Sequence, residues 1–224
     1  SSVAFSNSTL SGNSAAENGG SIYASGRNTI MFENSTLSDN SANNRGGGID
    51  ARDRSNVTLN HASLSGNSAL NQGGALFADA STITIINSLL TANTATTAGN
   101  EIYNYNSSST ITLGGINLFG DSTSSNASAF VGFALRESDV NATSDGINIA
   151  TANIINPLAD NGCQQSAGKP DSATCLLTNG LPEDSPALDA ALFANCPSTD
   201  QRGEARDGML GESFFVTIPT SNNK

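Results

Sequence analysis

One feature limits this chain more than any other: it repeats itself about every 27 residues. The run Phe5-Ser6-Asn7-Ser8-Thr9-Leu10-Ser11-Gly12-Asn13-Ser14-Ala15 returns as Phe32-Glu33-Asn34-Ser35-Thr36-Leu37-Ser38-Asp39-Asn40-Ser41-Ala42. It returns again from Leu59 to Ala69 and from Ile85 to Ala95, and in weakened form from Leu113 to Asp121. The anchor leucines Leu10, Leu37, Leu64, Leu90 and Leu118 step by 27, 27, 26 and 28. A glycine step follows each of the first four copies: Gly19-Gly20, Gly46-Gly47, Gly73-Gly74 and Ala98-Gly99. A fixed period of this length marks a stacked repeat architecture.

Inside a copy the hydrophobic period is two. Val3/Phe5, Ile30/Phe32, Val57/Leu59, Ile83/Ile85 and Ile111/Leu113 alternate with mostly polar residues, the pattern of a strand with one buried face. Short strands and turns repeated at this period predict an all-β, right-handed parallel β-helix of three-strand coils with an irregular C-terminal cap. Residues 1–121 read as regular coils and 122–162 as degraded ones, together a coil domain 1–162. Residues 163–224 read as a capping and docking segment laid over the last coil. In such a stack equivalent side chains form columns at ~4.8 Å spacing. Asn13, Asn40, Asn67, Asn93 and Asp121 are predicted to make one structural ladder, with asparagine chosen for its tolerance of left-handed turns.

Composition narrows the function classes. The net charge is −11, with four cations against seven acids in residues 1–112 and five against thirteen in 113–224. That excludes a basic nucleic-acid footprint. No run of 18 apolar residues is present, so no transmembrane helix is expected. The three cysteines all lie in the last third, which fits a secreted protein with one disulfide. Cys163 and Cys175, 12 residues apart, are the expected pair, leaving Cys196 over; three buried thiols are the alternative.

Chemistry has few candidates. Asp50, Arg52, Asp53 and Arg54 cluster, with Arg27 one coil before Arg54 and Asp79 near the place one coil after Asp53. Carboxylates and arginines of this kind serve enzymes that cut acidic polysaccharides. They are therefore weighed as catalytic residues, with Arg27, Arg52 and Arg54 as ligand contacts. If strand alternation continues, Arg52 and Arg54 share a face. The plain reading, which we prefer, is a solvated ion-pair patch and a protein that is not an enzyme. His61, the only histidine, falls in the column of Asn7, Asn34 and Asn87 and reads as a polar stacking substitute. One histidine and scattered cysteines match no zinc spacing. No cofactor is called for; calcium would suit the acidic second half, but no D-x-D-x-D-G loop stands behind it. Outward threonines at Thr29, Thr58, Thr82, Thr84, Thr110 and Thr112 raise ice binding as a minor alternative, although Met31 and Asn56 interrupt them.

Two resemblances add to this. The early copies, with Phe-x-Asn and Gly73-Gly74-Ala75-Leu76, resemble the repeats of chlamydial polymorphic outer membrane proteins. Gly115-Ile116-Asn117-Leu118 with Gly120-Asp121, then Asn156-Pro157-Leu158, Ser185-Pro186-Ala187-Leu188-Asp189 and Asp200-Gln201-Arg202-Gly203, are similar to segments of bacterial right-handed β-helix proteins with a choice-of-anchor Q domain. The resemblance implies export and display at a bacterial surface, and no known reaction. The expected function is a non-catalytic, adhesin-like or envelope β-helix that binds carbohydrate or a cell-surface polymer; the alternative is a polysaccharide lyase or hydrolase. The first coil shows no cap, so upstream coils or a stacked partner are expected against it.

Overall fold

A computed structural model describes residues 1–161, 177–188 and 198–202. The cysteines, and with them the expected Cys163–Cys175 bridge, lie outside the described residues.

The chain winds into a parallel β-solenoid. Its first face stacks Ser2–Ser6, Thr29–Glu33, Asn56–Asn60, Thr82–Ile86 and Thr110–Gly114. The second stacks Thr9–Ser11, Thr36–Ser38, Ser63–Ser65, Leu89–Thr91, Leu118–Phe119 and Val140–Asn141. The third is narrow: Ser14–Ala15, Ser41–Ala42, Ser68–Ala69 and Thr94–Ala95. The fourth stacks Ile22–Ala24, Ile49–Arg52, Leu76–Asp79, Ile102–Asn104 and Phe130–Val131. The first four coils thus carry four short strands each, where the pattern predicted three. The third-face strands are two residues long, too short to show alternation.

Apolar alternation fills the interior. Ile30 pairs Val57, Val57 pairs Ile83 and Ile83 pairs Ile111, while Ile22, Ile49, Leu76 and Ile102 align on the fourth face. All of these belong to one continuous core. The anchor column runs Leu10, Leu37, Leu64, Leu90 and then Phe119. Leu118 pairs Leu89 instead, one position from the predicted place. The fifth coil carries extra residues before the anchor, and the larger Phe119 ring fills the interior against Phe130 and Phe133.

Corners turn on left-handed residues. Asn7, Asn34, His61, Asn87 and Gly115 occupy one corner, each with φ between 46° and 58°. At the next corner the left-handed residues are Gly12, Asp39, Gly66, Ala92 and Gly120. This corrects the reason assigned to the ladder. The asparagines follow the left-handed residue, and it is their side chains that count. At the glycine step, Ala98 bridges Gln72, so Gly99 aligns with Gly73, and Asn100 takes the place of the second glycine. Glycine is needed there: a Cβ on Gly47 would strike the Gly74 carbonyl of the next coil.

The degraded coils differ from expectation in detail. Phe130–Val131 is a short strand after a one-turn helix, Asn126–Ala129, whose Ser125 cap accepts from the Ser128 N–H. Ile154 and Ile155 are buried beside a 3-10 turn, but Ile147 is exposed. The later segment reaches further than a lid on the last coil. Leu181 and Ala187 pack with Ile154, Ile155, Leu118 and Leu89 near the end of the solenoid. Residues 177–181 run along the second face toward that end, and Gln201 lies against the same face at the first two coils. Asn179 accepts from Ser65 Oγ (3.2 Å), Leu177 O from Thr9 Oγ1 (2.6 Å), and Gln201 Oε1 from Thr36 Oγ1 (2.7 Å). This strap explains why Thr36, Ser38, Ser63 and Ser65 are buried on an outward surface. Asp200 holds Arg202 by a buried ion pair, and Arg202 donates to Asn161 O at 2.8 Å, clasping the strap.

Candidate binding face

The asparagine corner comes first because it separates structure from function. Asn13 Nδ2 donates to Asn40 Oδ1, Asn40 to Asn67 and Asn67 to Asn93, each at 2.9 Å. Each Oδ1 also accepts the backbone N–H of the asparagine before it. Every side chain is thereby spent on the stack. Asp121 does not continue the row. It lies one position out of step, accepting the Ala92 N–H at 3.1 Å and bonding Thr151 Oγ1 at 2.9 Å. The cause is the same insertion that displaces Leu118. Asn93 Nδ2 turns to Glu101 Oε2 instead, at 2.6 Å. Burial, reinforced by the nearby Asp121 charge, pushes the Glu101 carboxyl up to about 8. No sequence signal had drawn attention to Glu101. An acid in the column of Ser21, Gly48 and Ala75 was that signal.

The G-x-N-L-x-G-D segment is absorbed in the same way. Gly115 has no room for a Cβ beside Asn87. Asn117 accepts from the Ser88 N–H at 2.8 Å and donates to Asp139 Oδ1 at 3.1 Å. Arg136 grips Asp139 and donates to the Leu113 and Gly115 carbonyls. His61 is likewise structural: its Nδ1 is 2.9 Å from Asn60 Oδ1 and its Nε2 3.3 Å from Asn87 Nδ2.

The Asp50–Arg54 cluster does not assemble as predicted. The strand ends at Arg52, and Asp53 and Arg54 turn through left-handed conformations (φ 53° and 66°), so Arg52 and Arg54 share no strand face. Arg27 does align with Arg54, in the neighbouring corner. Asp79 pairs Arg52 in register, not Asp53. Asp53 accepts from Ser25 Oγ at 2.6 Å, and Asp79 from Ser108 Oγ at 3.1 Å. Asp50 is 0% exposed and held by a two-pronged pair, with Arg52 Nε at 2.6 Å and Nη2 at 2.7 Å. Burial pushes the Asp50 carboxyl above its ordinary range, and the Arg52 hydrogen bonds only partly offset it.

What the fourth face does assemble is an aromatic ridge. Tyr23, Asp50, Phe77 and Tyr103 stand in one outward column. Phe77 stacks on Tyr103 with centroids 5.6 Å apart and planes within 8°. The Arg52 guanidinium lies 4.9 Å from the Phe77 ring and 6.0 Å from Tyr23. Arg45, from the corner before this face, lies 5.0 Å from Phe77 and 5.8 Å from Tyr105. Two arginines and the stacked Tyr103 ring thus cover Phe77, which explains a fully buried phenylalanine on an outward surface. Phe77, Tyr103 and Arg45 had not been singled out from the sequence. Their positions are outward in the strand pattern, and only the stack brings them together.

With this geometry in view, the comparisons can be placed. The Chlamydia polymorphic membrane protein repeat matches residues 7–25 and 61–79. Each stretch opens on a left-handed corner residue, Asn7 or His61, and ends on the fourth face of its coil. The likeness is therefore one of repeat and corner design. No curated protein and no solved structure matches the chain. Among the described residues no three His, Cys, Asp or Glu side chains converge to hold a metal ion, and no helix is long and apolar enough to cross a membrane.

Proposed function

We propose that this chain is a non-catalytic β-solenoid displayed on a bacterial surface, binding carbohydrate through its fourth face. One observation carries the reading. Among the described residues, the acids of the enzyme-like cluster are already engaged within the protein: Asp50 with Arg52, Asp53 with Ser25 and Asp79 with Ser108. A glycosidase needs two carboxyls free to meet substrate across a gap of ~5–10 Å. A binding face needs only a rigid array of side chains, and a stack of in-register coils supplies one. The likeness to a membrane-protein repeat, and the resemblance of residues 115–206 to exported choice-of-anchor Q proteins, support the surface assignment.

Two measurements test it. Protease treatment of intact bacteria expressing the full-length protein should remove the solenoid while a cytoplasmic marker survives. Purified protein incubated with polygalacturonate, with and without calcium, should leave chain length unchanged. Depolymerisation that disappears in Asp50→Asn would overturn the non-catalytic reading.

A further inference from the structure

We infer that the Arg45 end of the fourth-face ridge is a subsite for the carboxylate of an acidic sugar, with the sugar chain lying along the solenoid axis. This deepens the carbohydrate-binding reading and rests on it.

Three features point there. The first is an uncommitted cation. Arg52 is neutralised by Asp50, but Arg45 makes no ion pair among the described residues, and its buried Nε has no hydrogen-bond partner. In a chain of net charge −11 such an arginine is conspicuous. The Phe77 and Tyr105 rings pack against its guanidinium, which limits the conformational freedom to be lost on meeting a carboxylate. The second is Gln72, which bridges Arg45 in the next coil and whose buried Oε1 also lacks a partner. A missing acceptor and a missing donor thus stand on adjacent rungs of the stack. The third is the aromatic run. Tyr23 and Tyr103 lie three coils apart in one column, ~14 Å along the axis. Tyr23 is 52% exposed, so its ring is open to a ligand.

The chemistry favours a sugar over an acidic peptide. An extended peptide gains affinity by adding to a sheet edge, through main-chain hydrogen bonds. At Arg45 and Phe77 the fourth face presents side chains, because the inner strands Ile49–Arg52, Leu76–Asp79 and Ile102–Asn104 are already paired to the coils on both sides. The exposed Tyr23 ring and the Arg45 guanidinium suit the apolar face and the carboxylate of a hexuronate.

The experiment is calorimetric titration of the intact chain with tetragalacturonic acid, beside neutral cellotetraose and a tetraglutamate peptide, in calcium-free buffer. The acidic sugar should bind, with the other two at least ten-fold weaker. Arg45→Gln should weaken it at least ten-fold, and the exposed-site variant Tyr23→Ala several-fold. Thr82→Val, on the first face, should bind as the parent does. Circular dichroism and thermal melting check each fold; if Arg45→Gln fails to fold, Tyr23→Ala still decides. No binding of tetragalacturonate at millimolar concentration, equal binding of cellotetraose or tetraglutamate, or full affinity in both ridge variants would overturn the inference. If the acidic sugar fails while protease still strips the solenoid from intact cells, only this subsite is lost. If the solenoid proves inaccessible on intact cells, the surface reading itself fails.

Discussion

The asparagine corner and the fourth-face ridge are built by the same stacking rule and end with opposite properties. At the corner each of the first four coils presents the same residue, Asn13, Asn40, Asn67 and Asn93, and each but the last donates its side-chain amide to the next. On the ridge each coil presents a different one, Tyr23, Asp50, Phe77 and Tyr103. A uniform column satisfies itself, because donor and acceptor repeat at the coil spacing. A varied column cannot, and must borrow partners from flanking positions, as Phe77 borrows Arg45 and Arg52. In this molecule the uniform column closes on itself, and the varied column draws on flanking side chains.

The contrast can be broken most forcefully at Asn67. It is fully buried, donates to the Leu37 carbonyl and to Asn93, and accepts from Asn40. Asn67→Ala strands several buried groups at once and should cost ~4 kcal/mol, read from urea unfolding. Asn13→Ala, at the exposed start of the row, should cost under ~1 kcal/mol by the same measurement.

A smaller effect is expected where the row meets Glu101, and it depends on pH. The folded-state value of about 8 lies above the ordinary 4.5, so the folded protein holds a proton that the unfolded chain releases between those values. This contribution is complete below pH 4.5 and is lost as pH rises through about 8. Glu101→Gln keeps an acceptor for Asn93 and removes the titration. At pH 9 the variant should exceed the parent by ~3 kcal/mol, and near pH 4 the two should match. Parallel pH-dependent denaturation curves for the two proteins would contradict this account.

On the ridge, Asp50→Asn removes the charge that neutralises Arg52. We expect a loss of ~2 kcal/mol, with a corner that melts as before, because Asp50 touches none of the asparagines. Thermal unfolding together with amide hydrogen exchange at Asn40 and Asn67 separates the two regions. A small effect is also expected from Thr36→Val, which removes one hydrogen bond to Gln201 in the strap. It should cost ~1 kcal/mol and appear first as faster proteolysis within residues 177–202, before the coils are cut.

The repeat was legible because identical rungs stack only in register. Ile22, Ile49, Leu76 and Ile102 follow from spacing alone. The register failed where an insertion broke the spacing, at Leu118 and Asp121, because single-residue shifts leave the hydrophobic pattern readable on either side. The acidic cluster misled because strand alternation was carried past Arg52, where two left-handed residues turn the chain. Phe77 went unnoticed because an outward aromatic between Leu76 and Ala78 has no signature until its neighbours in the stack are known.

Sequence alone therefore determined the coil period, the parallel register of the first four coils and the inward residues of the first, second and fourth faces. Each rests on contacts between positions one period apart, and such contacts leave a repeating trace in the chain. Tertiary structure alone decided the rest: Glu101 as the partner of Asn93, the two arginines around Phe77, and the strap that joins Thr36 to Gln201 across 165 residues. Those contacts occur once each, between residues of unlike type, so no periodicity records them and only the folded geometry brings them within reach.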